Sequence, residues 1–147
     1  MKLSQTTPPE GTVRDWIDAR AASTDTAFVF PETGEQITWT ELRDAARVMA
    51  QRLTAQGIAK GESLAIIHPN GKAGVTALYA ALYGGFRATM INLAAGPDAI
   101  GYALEHSEAR FALVHNDQLE TFNAAAQSHM SALSDDDLSD TAELHDI

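Results

Sequence analysis

Three short apolar runs, residues 63–67, 88–91 and 111–114, are each followed by a stretch with helical spacing, and this alternation constrains the chain most. Strands separated by helices of that length cannot be joined by tight hairpins. They need crossovers, and crossovers give parallel strands with helices on both faces of the sheet. Such crossovers are right-handed almost without exception. The expected fold class is therefore α/β, with βαβ units forming a mostly parallel sheet.

The rest of the chain can be placed around that frame. Residues 1–11 hold Pro8, Pro9 and Gly11 among polar side chains and read as a loose lead-in. Residues 13–22 suit a short helix, and residues 27–30 and 36–38 suit a hairpin turned by Pro31, Glu32, Thr33 and Gly34. Trp39, Leu42, Ala46, Met49 and Leu53 recur at steps of three and four, which places them on one face of a helix. Thr38 and Glu41 have the spacing of a capping box, and Gly57 can end the helix in a left-handed conformation.

Residues 72–83 form a helix apolar nearly all round, stopped by Gly84 and Gly85, and Pro97 opens the next helix over residues 98–106. Residues 117–127 form another, with Asp117 as candidate cap. Beyond it the periodicity fades. Residues 128–147 contain the run Ser134-Asp135-Asp136-Asp137-Leu138-Ser139-Asp140 and are expected to be an acidic, poorly ordered tail. The division is then 1–11 lead-in, 12–127 α/β domain and 128–147 tail, with no internal repeat.

Composition removes several function classes. The 147 residues include no cysteine, which excludes disulfides, thiolate zinc sites and a cysteine nucleophile. Net charge is −10, and residues 111–147 carry eight acids with no Lys or Arg. Nucleic acid and anionic membrane surfaces, which need clustered basic side chains, are not expected as partners on that ground. The longest uncharged run, residues 73–86, is 14 long, too short to span a bilayer. Residues 1–11 have one Lys and no apolar core, unlike a secretory signal, so the expected location is the cytoplasm.

No residue earns a catalytic, cofactor-binding or metal assignment. Residues 57–61 bracket Lys60 with glycines but follow a helix and lack the Gly-Lys-Ser/Thr order, so they read as a helix stop and turn. Gly84 and Gly85 read as close packing. His68, His106, His115, His129 and His145 show no metal-ligand spacing. His68 and His115 do fall at strand C-terminal ends, where open α/β sheets place ligands. Asp135, Asp136 and Asp137 lack the glycine and distal Glu of a calcium loop and read as a solvated charge run. Trp16, Trp39 and Met49 sit at core spacing.

One series of short motifs goes further. Residues 37–42 (Ile-Thr-Trp-Thr-Glu-Leu) lead into the amphipathic helix, then into residues 57–62 (Gly-Ile-Ala-Lys-Gly-Glu), the strand at 63–67, Asn70, Gly85 and Asn92. In order and spacing, over about residues 12–125, this resembles the N-terminal part of the acyl-adenylate-forming, AMP-binding ligases: acyl-CoA synthetases, peptide-synthetase adenylation domains and firefly-type luciferases. Glu62 stands where that family usually has Asp. The resemblance implies the first α/β portion of the large N-terminal domain of such a ligase.

The family's phosphate loop, its adenine and magnesium motif, its ribose-binding Asp and its catalytic Lys lie further on. Residues 126–147 contain no Gly, Lys or Arg. In some relatives the loop after the position of Asn92 approaches coenzyme A through a basic residue, but here it reads Leu93, Ala94, Ala95. The resemblance therefore implies an N-terminal fragment of an ATP-dependent carboxylic acid–CoA ligase, inactive alone. ATP, Mg²⁺ and coenzyme A belong to the parent enzyme, and none is expected to bind this chain by itself. Two other readings stay open. One is a non-catalytic short relative or split-enzyme half, associating with the remainder of a ligase or with another copy through an open sheet edge. The other is a small flavodoxin-like domain binding a nucleotide at a switch point.

Overall fold

The computed structural model of the chain describes residues 9–126 and 129–147. The expected lead-in at residues 1–8, and the part of the expected helix and tail at Gln127 and Ser128, lie outside the described residues. Helix α1 (Val13–Arg20) begins where Thr12 accepts from the Asp15 N–H and the Asp15 carboxylate accepts from the Thr12 N–H, a reciprocal cap. Of its apolar side chains only Ile17 is buried. Trp16, expected in the core, is 42% exposed and donates its indole N–H to the Glu10 carbonyl. A helix of eight residues turns only one narrow stripe inward, and Ile17 occupies it.

Strands β1 (Thr26–Phe30) and β2 (Glu35–Thr38) pair antiparallel as the expected hairpin, separate from the main sheet. Helix α2 (Trp39–Ala55) starts at the Thr38–Glu41 capping box: the Thr38 N–H donates to the Glu41 carboxylate at 2.8 Å and the Glu41 N–H to the Thr38 hydroxyl at 3.2 Å. Such a cap contributes about 1 kcal/mol. Leu42, Ala46, Ala50 and Leu53 are fully buried on one face, with Met49 half-buried beside them. Gly57 follows at φ 85°, the left-handed turn that ends the helix.

Then come β3 (Ser63–Ile67), α3 (Lys72–Gly84), β4 (Arg87–Met90), α4 (Pro97–His106), β5 (Phe111–Val114), α5 (Leu119–Ala125) and β6 (Ser131–Leu133). The four strands form one parallel sheet in the order β4-β3-β5-β6. Because strand side chains alternate, β3 serves two cores at once. Leu64 and Ile66, with Leu113 of β5, pack beneath α2 and α3, whereas Ala65 and Ile67, with Ala112 and Val114, meet α4 and α5. All five residues of β3 are buried, as a central parallel strand requires. At the N-terminal rim the Glu62 carboxylate accepts two bonds from Arg110 and one from the Ala59 N–H, tying the turn before β3 to the entry of β5. Hydrogen bonding to Arg110, foremost, holds the Glu62 carboxyl below its ordinary pKa.

One further expectation needs correction. Asp117 does not cap α5. Its backbone N–H instead donates to His115 Nδ1, which caps a 3₁₀ turn at Asn116–Gln118, and α5 starts only at Leu119. Residues 129–147 lie against the rest of the fold. Strand β6 adds to β5 in parallel, Leu138 is buried in the α2/α3 core, and Leu144 packs near Ile17 and Tyr83. The Ala142 N–H donates to the Gln51 carbonyl and His145 Nε2 donates to that of Ile58. Isolated apolar residues, each reaching a separate slot, anchor this segment without leaving a periodic trace.

Candidate functional site

Helix α3 covers one face of the sheet while α4 and α5 cover the other, so the winding reverses between β3 and β5. Outside the carboxyl ends of strands at such a reversal, open α/β sheets form a crevice. His68 follows the last residue of β3, and His115 follows the last residue of β5. The His115 N–H donates to the Ile67 carbonyl at 2.9 Å, which extends the pairing by one step and holds the two histidines side by side. Their rings meet edge to face, with centroids 5.4 Å apart.

The two differ in environment. His115 Nδ1 accepts the Asp117 N–H at 3.3 Å. His68 is only 8% exposed, and neither of its ring nitrogens has a hydrogen-bond partner. Loss of hydration, foremost, pushes its pKa from the ordinary 6.5 down to about 4; the like charge of His115 adds to this and the Asp135 carboxylate opposes it. At neutral pH His68 is therefore an uncharged imidazole with one unused donor and one unused acceptor, an arrangement that costs about 1–3 kcal/mol when nothing satisfies it.

Three clefts share His68, Pro69 and Asn70. One of about 470 Å³ runs along the first turn of α3 and is lined by Lys72, Ala73 and Thr76 together with Glu35 and Asp135. A second, about 320 Å³, reaches Asn92, Leu93 and Ala94 beyond β4 and has no charged lining. A third, about 290 Å³, is bounded by Val75, Leu78 and Met90. Asn92 is engaged in accepting from the Ala94 N–H. Lys72 lies 4.0 Å from Glu35, a loose and largely exposed pair.

The remaining candidates fall elsewhere. Residues 57–61 precede β3 and so sit at the opposite end of the sheet, where the Gly61 N–H donates to the Gly85 carbonyl. A Cβ on Gly84 would enter the Phe86 ring, and one on Gly85 would meet Ile147, which explains both glycines by packing. His106 stacks on Tyr102, His129 is exposed, and His145 packs against Phe86. Asp135 does approach His68, a placement that sequence reasoning missed. The two are joined only through β6, a three-residue strand with no sequence signature of its own.

The sequence pattern of one family, described as AMP-binding enzyme, matches residues 16–146. The chain belongs to that family. A curated relative, the acyl-CoA ligase sidI of Aspergillus fumigatus, is 35% identical over 83 residues, covering 56% of this chain and 14% of the relative. The N-terminal domain of FACL13 from Mycobacterium tuberculosis superposes with a TM-score of 0.76 at 24% identity, over 88% of this chain and 35% of that one. O-succinylbenzoate coenzyme A synthetase (MenE) from Bacillus subtilis, in complex with AMP, gives 0.73 at 24% identity, over 88% and 34%. The chain thus spans about a third of these structures and a smaller part of the curated relative. The fold they share is the parallel sheet with helices on both faces, as expected from the N-terminal domain of an adenylate-forming ligase.

Membership raises the question of the family's nucleotide. MenE has also been solved with ATP and a magnesium ion. The residues at the sheet's carboxyl end do not fit a triphosphate: among the described residues Lys72 is the one Lys or Arg lining the 470 Å³ cleft, and Glu35 and Asp135 line it too. Among the described residues, no three His, Asp or Glu side chains gather as a metal-holding group. No described helix is long and apolar enough to cross a membrane.

Proposed function

We propose that this chain is the first α/β portion of an ATP-dependent carboxylic acid–CoA ligase. The parent's reaction has two steps. A carboxylate oxygen attacks the α-phosphorus of ATP and pyrophosphate leaves; the thiol of coenzyme A then attacks the acyl carbon and AMP leaves. The observation that carries this reading is the family match over residues 16–146, supported by the ligase names of the relatives. Within the parent, these residues would supply a sheet and packing surface rather than groups that handle phosphate.

Both steps require charge on phosphate oxygens to be stabilised by oriented N–H groups, Lys or Arg, and a divalent cation. The purified 147-residue chain, given ATP, Mg²⁺, coenzyme A and a panel of short, long and aromatic acids, is therefore expected to release no pyrophosphate above a no-acid control. Release that depends on one of the acids would overturn this assignment of roles.

A further inference from the structure

We infer that the open edge of β4 pairs with the same strand of a second copy of this chain, antiparallel about a two-fold axis. The inference does not rest on the ligase reading, because it uses only the bonding and shape of the sheet. In the order β4-β3-β5-β6 the outer strands are β4 and β6, and among the described residues no strand pairs with the outer side of either. The Arg87 N–H donates to the Glu62 carbonyl at 2.9 Å and the Ile91 N–H to that of Ile66 at 3.0 Å. Backbone groups of successive strand residues point to opposite sides, so the N–H and C=O of Ala88 and Met90 face away from β3.

The two edges are guarded differently. Strand β6 is three residues long and runs at once into the turn of Asp135, Asp136 and Asp137. Short length and charge are the usual protections of a sheet edge. Strand β4 has neither proline nor acid, keeps a regular register with β3, and carries Arg87 as its one charge. Beside it Met90, half-exposed, lines the 290 Å³ cleft with Val75 and Leu78 of α3, an apolar shelf along the open edge.

The strand is complementary to itself, which selects a second copy as the occupant and fixes the register. A two-fold axis through Thr89 sets Ala88 opposite Met90 of the second copy, and Met90 opposite its Ala88. Every outward donor and acceptor of both strands is then used. Thr89 meets Thr89, a favourable cross-strand pair, and the long Met90 lies beside the short Ala88 on the face of α3. Arg87 comes opposite Ile91 rather than another Arg87, next to the uncharged run Asn92-Leu93-Ala94-Ala95, so no like charges are apposed. A contact of one short strand and its shelf falls in the small class of interfaces, so dimers form at high rather than low micromolar concentration.

The test is sedimentation velocity of the full 147-residue chain from low to high micromolar concentration, with amide hydrogen exchange followed over the same range. Salt at about 0.15 M screens repulsion between the copies. A monomer–dimer equilibrium is expected. Exchange of the Ala88 and Met90 amides should slow severalfold as the dimer fills, while the Arg87 and Ile91 amides, already bonded to β3, stay unchanged. Met90→Lys, at an exposed position, puts a charge from each copy on the shared edge and should weaken dimerisation by about tenfold or more. Ala88→Pro removes an outward donor without removing a bond to β3, should weaken it at least as much, and serves as the second variant should Met90→Lys fail to fold. A monomer at every concentration, a dimer whose Ala88 and Met90 amides exchange at the monomer's rate, or dimerisation undiminished in either folded variant would overturn the inference.

Discussion

Ile66→Ala should lower the free energy of unfolding by about 2–5 kcal/mol. Ile66 lies in the middle of the central strand β3 and is fully buried in the cluster formed with α2 and α3. Truncation removes the apolar transfer term and leaves a cavity between a sheet and two helices, where neighbours anchored in regular structure can relax only partly. Domains of this size have about 5–15 kcal/mol in total, so the variant should unfold at visibly lower urea concentration. Met90→Ala provides the contrast. Met90 is 51% exposed on the edge strand β4, and its replacement should change stability by only about 0.5 kcal/mol. Equal effects at the two positions would mean that the assigned faces of β3 and β4 are wrong.

Acid should destabilise the chain through His68, well before carboxylate titration dominates. In the folded protein this imidazole titrates near 4, and unfolded it returns to 6.5. Between those values the unfolded state binds the extra proton, so stability rises with pH. The contribution is fully present above about 6.5 and is lost as pH falls towards 4. A shift of that size corresponds to about 3 kcal/mol at the acid limit. Glu62, whose pKa is lowered mainly by Arg110, acts in the same direction but only as pH approaches and passes below its ordinary value of 4.5. Urea unfolding of the parent chain and of His68→Leu at pH 7, 6 and 5 separates the two. The parent should weaken steadily, while the variant should stay level over that range and equal or exceed the parent at pH 7, because an apolar group replaces an unsatisfied polar one. Parallel pH profiles would show that His68 is hydrated or partnered after all.

The sheet was legible in the sequence because its strands are short apolar runs bounded by turn residues. Residues 63–67 and 111–114 match β3 and β5 residue for residue, and the capping box at Thr38 and Glu41 marks the start of α2. What composition hid was anything depending on single, non-periodic contacts. Leu138 and Leu144 look like isolated apolar residues in an acidic run, yet each fills a slot between helices. Asp117 has the chemistry of a cap, but the neighbouring His115 nitrogen takes its N–H first. The position of His68 at a strand end could be read directly. Its lack of partners, and the approach of Asp135 to it, depend on β6 and the segment after it folding back beside β5, which no local pattern announces.

The central claim is that this sheet is the opening portion of an AMP-forming acid–CoA ligase. Reading the source gene's coding sequence past the Ile147 codon tests it most directly. The expected result is an open frame that runs on into a Ser/Thr/Gly-rich loop closing with Lys, the element that handles phosphate in the family. A stop codon directly after Ile147 would contradict the claim and leave a short family member whose role is something other than ligation.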